Sequence, residues 1–175
     1  MGITEQTYLP TEEELTVQEV NVSGPVLKAG AHHLGNDCLH ENNEFMLCRN
    51  ETNDPRKCIA EGKAVTNCAL NFFRKVKSSC ADEFMQYVNC IDKSSSYQLF
   101  APCRKTQGVF DKCMKDQLGM ERPPYDQFAR VQVHHTERPK PEVEPPAVYA
   151  DAPQFLPENV EKPPAKYGSR VHWMW

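Results

Sequence analysis

Eight cysteines at one repeated spacing constrain the fold of this chain more than any other feature. They form four CX9C units, in which nine residues separate the two cysteines. The units are Cys38/Cys48, Cys58/Cys68, Cys80/Cys90 and Cys103/Cys113. A spacing that recurs four times in a chain of 175 residues is an internal repeat, and it constrains the fold more than any local pattern does.

The spacing predicts helical hairpins. Ten residues of α-helix advance about 15 Å and end about 80° short of three turns, so both cysteines of a unit lie on roughly one side. One helix cannot join them, but antiparallel helices about 8–10 Å apart bring facing Cα atoms into disulfide range. In each hairpin the two cysteines nearest the turn (the inner pair) then face each other, and so do the two cysteines farthest from the turn (the outer pair). We predict the disulfides Cys38–Cys68, Cys48–Cys58, Cys80–Cys113 and Cys90–Cys103.

The residues between the inner cysteines are typical of turns. Asp54 is suited to cap a helix that begins at Pro55, and Ser94–Ser96 with Pro102 mark the second bend. An aromatic residue stands three positions, about one turn, before a cysteine in three of the units: Phe45, Tyr87 and Phe110. We predict that these rings belong to the core; the alternative is a docking role while the cysteines are being oxidised.

The same spacing argues against other uses of cysteine. Structural zinc needs cysteines about two to four residues apart, and copper or redox sites need CC or CxxC, none of which occurs here. The adjacent pairs His32-His33 and His134-His135 point to different sides of a helix or strand. Pairing also leaves no thiolate as a nucleophile. We therefore expect no metal site, no cofactor and no catalytic residue.

Composition indicates that the disulfides carry much of the stability. Leu, Ile, Val and Phe make up only a fifth of the chain, the mean hydropathy is -0.65, and 14 residues are proline. Each outer bridge closes a loop of roughly 30 residues, which is worth on the order of 3–4 kcal/mol. We expect an all-α fold of two disulfide-stapled hairpins in series that is largely unfolded when reduced.

Charge and proline divide the chain into segments. We predict an acidic N-terminal segment over 1–37 with a helix near 25–35, hairpins over 38–72 and 73–119, and an extended proline-rich tail over 120–175. The N-terminal helix is expected to pack on the first hairpin, with a partner protein as the alternative. The net charge of -4 favours no nucleic-acid partner.

The tail has too many prolines for regular helix or sheet, yet it contains spaced aromatic residues that a pure linker does not need. We predict that it is disordered when free and lies along neighbouring subunits in an assembly. Its predicted anchors are Tyr125, Phe128, Tyr149, Phe155, Tyr167, Trp173 and Trp175.

The sequence features that bear on localisation point in two directions. The first 37 residues have no arginine and no apolar run of a secretory signal, and no stretch approaches the roughly 18 apolar residues that span a bilayer. We expect no cleavable targeting segment and no transmembrane helix. Disulfides nevertheless need an oxidising compartment. The repeat resembles that of small twin-CX9C proteins, which are imported reduced into the mitochondrial intermembrane space and oxidised there, so we expect this compartment.

The repeat resembles the coiled-coil-helix-coiled-coil-helix (CHCH) family, present here twice in tandem. Further stretches resemble the PGIV-type accessory subunits of mitochondrial complex I: VLKAGAHH (26–33), EFMLCR (44–49), DPRKC (54–58), CALNFFRKVK (68–77), QLF (98–100), CRK (103–105) and GSR (168–170). The resemblance covers roughly residues 9–122 well and the tail only weakly. It implies an accessory subunit without its own flavin, iron–sulfur cluster or quinone site, peripheral to the intermembrane-space face of the membrane arm.

Three functions are compared on this basis. The first is a structural subunit that supports assembly or stability of complex I and contacts other membrane-arm subunits, after folding by the oxidative import machinery. The second is a soluble intermembrane-space chaperone or respiratory-chain assembly factor, for which a CC pair is missing in the copper-delivering case. The third is a thiol oxidase, which requires a CxC or CxxC pair that is also missing.

Overall fold

The computed structural model describes residues 8–140, and this part of the chain is helical without a β-strand. Its α-helices are α1 (Glu12–Leu15), α2 (Gly24–Asp37), α3 (Leu39–Thr52), α4 (Ile59–Ser79), α5 (Ala81–Ser94) and α6 (Arg104–Leu118). Short 3-10 helices span Pro55–Cys58, Ala101–Cys103 and Gln127–Ala129. The all-α fold class that the sequence predicts is confirmed.

The first cysteine of every CX9C unit directly precedes a helix. Cys38, Cys58, Cys80 and Cys103 are the residues before α3, α4, α5 and α6, and their backbone departs from helical geometry, with φ between -102° and -135°. The second cysteine of each unit lies inside the helix that follows. The first cysteine of each unit therefore marks the position at which a helix begins.

Two antiparallel helical hairpins result, with α3 packed on α4 and α5 packed on α6. The first turn follows the sequence prediction, because the Asp54 carboxylate accepts a hydrogen bond from the Arg56 backbone N–H and Pro55 opens the 3-10 helix. Asn53 adopts the left-handed conformation with φ 52°, which suits asparagine and ends α3. The predicted boundary between residues 72 and 73 lies inside α4, which pairs with α3 and also contacts both helices of the second hairpin.

The apolar core lies mainly in the second hairpin and the end of α4. Its largest fully buried side chains include Tyr87, Phe72, Phe110, Ile91 and Met114. Tyr87 and Phe110 are thus the core residues that the sequence predicts. Phe45, the matching residue of the first hairpin, is only partly buried beside Gly62. Over residues 39–71 the only buried side chains are Cys48 and Cys58, so this part of the first hairpin has little core besides its disulfides.

Helix α2 packs on α4 and α3 of the first hairpin, as expected, but its most extensive contact is with α5 of the second hairpin, which the sequence does not predict. Ala29 belongs to the main core cluster, and a Cβ on the buried Gly30 would lie 3.2 Å from the rings of both Phe72 and Phe73. The reason is the uneven core. The apolar face of α2 is buried where aromatic side chains are available, and these lie in the second half of α4 and in the second hairpin.

Disulfide scaffold and candidate partner surfaces

Four disulfides join the facing helices, and all eight cysteines are paired. The bridges are Cys38–Cys68, Cys48–Cys58, Cys80–Cys113 and Cys90–Cys103. These are the pairs that the hairpin geometry predicts, with Cα atoms 5.8–6.0 Å apart. Each bridge connects a residue just before one helix to the interior of its neighbour. The bridges therefore fix both the separation and the register of the paired helices.

A buried polar cluster ties α2 to α6. His33 Nε2 lies 2.8 Å from Asp111 Oδ1, and Gln107 Nε2 donates to Asp111 Oδ2 at 3.2 Å. Arg122, just after α6, donates to both oxygens of Asp111 at 3.2 and 3.4 Å. The His33 ring is almost fully buried, and it packs edge-on against Phe110. The cluster therefore holds three separate segments together inside the fold.

The charge balance of this cluster favours the ionised carboxylate. Burial alone would raise the pKa of Asp111, but the hydrogen bonds from His33 and Gln107 and the charge of Arg122 outweigh burial. The pKa of Asp111 is consequently below its ordinary value. The sequence shows His33 only as part of a histidine pair, so its partner 78 residues away was not predicted.

Arg138 forms a second cluster, on the first hairpin. Its guanidinium contacts Glu44 of α3 at 3.4 Å and Glu61 of α4 at 3.2 Å, and it also pairs with Glu51. One side chain from beyond α6 thus bridges both helices of the hairpin. Two of these carboxylates, Glu44 and Glu51, come from α3, whose only buried residue is Cys48. No local sequence pattern predicts this contact, because it joins residues 77–94 positions apart.

His134 and Thr136 reinforce the same contact. His134 Nε2 lies 2.6 Å from Glu44 Oε1, and the Thr136 hydroxyl donates to Glu44 Oε2 at 2.9 Å. The hydrogen bond from His134 is the main reason that the pKa of Glu44 lies below its ordinary value, and Thr136 adds to it. Residues 134–138, which we call the strap, therefore follow the surface of the first hairpin.

The described tail anchors differ in their surroundings. The Phe128 ring lies over Gly35, where an added Cβ would come within 3.1 Å of Phe128 Cζ. Half of Phe128 remains exposed, and Tyr125 is fully exposed. Phe128 therefore makes part of its contacts within the chain, at Gly35, whereas the whole Tyr125 side chain is accessible to a partner. The other predicted anchors, Tyr149, Phe155, Tyr167, Trp173 and Trp175, lie outside the described residues.

Exposed apolar side chains mark further surface available to partners. The bend between α5 and α6 presents Tyr97 and Leu99, which are 81% and 52% exposed. Within residues 8–140, no helix is long and apolar enough to cross a membrane. The described surface thus offers scattered apolar residues on a polar, disulfide-bonded scaffold.

Comparisons with known proteins decide the family. No protein-family model matches the chain. The Neurospora crassa protein named NADH-ubiquinone oxidoreductase 20.8 kDa subunit is 29% identical over 158 residues, covering 87% of this chain and 79% of that protein. Two Arabidopsis thaliana proteins, named NADH dehydrogenase (ubiquinone) 1 alpha subcomplex subunits 8-B and 8-A, are each 36% identical over 87 residues. These matches cover half of this chain and 80% and 79% of those proteins.

The chain belongs to the family of NADH dehydrogenase (ubiquinone) 1 alpha subcomplex subunit 8. The match to the Neurospora protein covers 87% of the chain, more than residues 1–119 alone supply, so it includes part of the proline-rich tail. The tail is therefore shared at least in part with a relative. This agreement extends the resemblance beyond the cysteine-bearing hairpins.

Proposed function

We propose that the protein is a non-catalytic, PGIV-type accessory subunit of mitochondrial complex I. The observation that carries the proposal is the family membership, since each of the three relatives is named as a subunit of an NADH–ubiquinone oxidoreductase or dehydrogenase. The fold supports a structural role. All of its cysteines form disulfides between helices, and the buried polar cluster around Asp111 holds α2 against α6.

The proposed location is the intermembrane-space face of the membrane arm, peripheral to the bilayer. Four disulfides between helices support an oxidising compartment. In this proposal the chain enters reduced and unfolded, the oxidative import machinery forms the bridges, and the folded shape then retains the protein. Because each bridge joins a cysteine before one helix to a cysteine inside the neighbouring helix, folding and oxidation are coupled in this proposal.

The proposed partners are other subunits of the membrane arm, and the tail is the proposed contact. Tyr125 is available because it is fully exposed, and Phe128 contributes its exposed half. Proline lowers the entropy cost of binding in an extended form. Limited proteolysis tests this part of the proposal. We expect cleavage after residue 140 to be slower in the assembled complex than in the free protein, and equal cleavage rates would contradict it.

The membership itself is tested by affinity purification of the epitope-tagged chain from mildly solubilised mitochondria. We expect NADH dehydrogenase activity and core complex I subunits in the eluate. An eluate that contains only import or chaperone proteins would instead support the assembly-factor function. The side of the membrane is tested separately. Protease added after rupture of the outer membrane should degrade the protein, and protection under those conditions would contradict the intermembrane-space location.

A further inference from the structure

Three metal-ligating side chains meet where the strap contacts the first hairpin. His40 and Glu44 lie four residues apart on α3, and therefore on the same face of that helix. The strap adds His134, and one ligand atom from each of the three residues lies within 4.8 Å of the others. Four-coordinate zinc holds its ligand atoms about 3.3 Å apart, so small side-chain movements bring the three onto one ion.

The surroundings of these residues favour a cation. His40, Glu41, Glu44 and Glu61 line an open groove of about 260 Å³. Glu41 and Glu61 each have one buried carboxylate oxygen for which the described part of the chain provides no hydrogen-bond partner. Buried anionic oxygens without partners are costly. A divalent cation in this groove would offset that cost.

The second oxygen of Glu44 is already held in the way that metal-binding carboxylates usually are. Thr136 donates to Glu44 Oε2 at 2.9 Å, and Arg138 lies 3.4 Å from the same oxygen. Glu44 Oε1 is the atom next to His134. A metal bound to Oε1 would therefore keep the contacts at Oε2, which orient the ligand. Arg138 also pairs with Glu51 and Glu61, so its positive charge is shared among carboxylates.

We propose that His40, Glu44 and His134 form a Zn²⁺ site that fastens the strap to the first hairpin. Two imidazoles and one carboxylate are a ligand set that zinc accepts, and the exposure of His40 leaves room for a water molecule as the fourth ligand. The fold brings His40 of α3 next to His134, which the sequence does not predict because the two residues are 94 positions apart. The bound ion would take the place of the direct contact between His134 Nε2 and Glu44 Oε1.

Equilibrium dialysis of the tag-free, oxidised full chain against Zn²⁺ tests the proposal at about pH 7.5. We expect one bound Zn²⁺ per chain, and His40→Ala or His134→Ala to weaken binding by at least about tenfold. His135→Ala is the matched control, because this exposed neighbour is not in the cluster, and it should bind like the wild type. His40 is exposed, so its replacement leaves the fold intact.

Glu44→Gln provides an independent variant, since it keeps the side-chain shape and removes the charge. It should also lose Zn²⁺ affinity while its helix content, measured by circular dichroism, stays unchanged. Either of two results would overturn the proposal. One is a wild-type chain without stoichiometric Zn²⁺ binding, and the other is a chain whose affinity falls equally in His134→Ala and His135→Ala.

Discussion

His33 Nε2 lies 2.8 Å from Asp111 Oδ1, and this contact joins α2 to α6 across 78 residues of sequence. The contact is more deeply buried than the one between His134 and Glu44. It fixes the N-terminal helix on the second hairpin, where the aromatic core also lies. The helix before the first CX9C unit is therefore an integral part of the fold.

Removing this contact should destabilise the protein. We expect His33→Ala to lower the free energy of unfolding by about 1–3 kcal/mol, because Asp111 loses its buried partner. The measurement is guanidinium unfolding under non-reducing conditions, so that the disulfides stay intact. His135→Ala is the control and should be nearly neutral. Equal stabilities of the two variants would show that the contact contributes nothing.

Two helical glycines offer a matched comparison of packing. Gly108 is exposed in α6 and has no neighbour within 4 Å of an added Cβ, so Gly108→Ala should stabilise the protein by about 0.5–1 kcal/mol. Gly30 is buried against Phe72 and Phe73, so Gly30→Ala should instead destabilise it by about 1–3 kcal/mol. Thermal unfolding of both variants measures the difference. A stabilising Gly30→Ala would be incompatible with the described packing of α2.

The two disulfides of the first hairpin should contribute differently to the free energy of unfolding. The Cys38–Cys68 bridge spans 30 residues and Cys48–Cys58 spans 10. Replacing both cysteines of a bridge by serine should cost about 3–4 kcal/mol for the outer pair and about 2–3 kcal/mol for the inner pair. Chemical unfolding of the two double variants tests this order. A larger loss from the inner pair would contradict the loop-entropy argument.

The single variant Cys58→Ser tests the same scaffold in mitochondria. It leaves the partner Cys48 unpaired at a position that is almost fully buried in the oxidised fold. We expect the variant to accumulate poorly, because an incompletely stapled hairpin stays open to proteases. Immunoblotting of isolated mitochondria measures the steady-state level. A normal level would speak against the dependence of folding on this bridge.

His32 should make stability depend on pH. Burial is the main cause that lowers the pKa of His32 from 6.5, and the charge of Arg122 adds to it. The unfolded chain therefore takes up a proton at a higher pH than the folded chain does. The contribution of neutral His32 to the free energy of unfolding is therefore fully present above about pH 6.5, and it is lost as the pH falls from there to the pKa of His32 in the folded chain.

The matched variant is His32→Phe, which keeps an aromatic ring beside Phe100 but cannot be protonated. Between about pH 7.5 and pH 5.5, the free energy of unfolding should decrease less in the variant than in the wild type. The histidines other than His32 are common to both proteins, so the difference reports on this one residue. An identical fall in both would exclude His32 as the source.

The cysteine spacing predicts much of this fold, because one repeat determines the start of α3, α4, α5 and α6 and the facing residues of each hairpin. It does not predict that α2 packs mainly on α5, since the apolar face of a helix does not specify which neighbouring helix it will contact. It also does not predict the contacts of Arg138 and His134. Those depend on the path of the chain after α6, and the nearest of their partners is 77 residues away.

The most direct test of the account is native gel electrophoresis of mildly solubilised mitochondria, with the chain detected by antibody and NADH dehydrogenase activity stained in the adjacent lane. We predict that the chain migrates with the activity band, and that the Cys58→Ser variant is depleted from that band. Migration of the wild-type chain only as a free species near its own mass of 20.0 kDa would contradict its role as a complex I subunit.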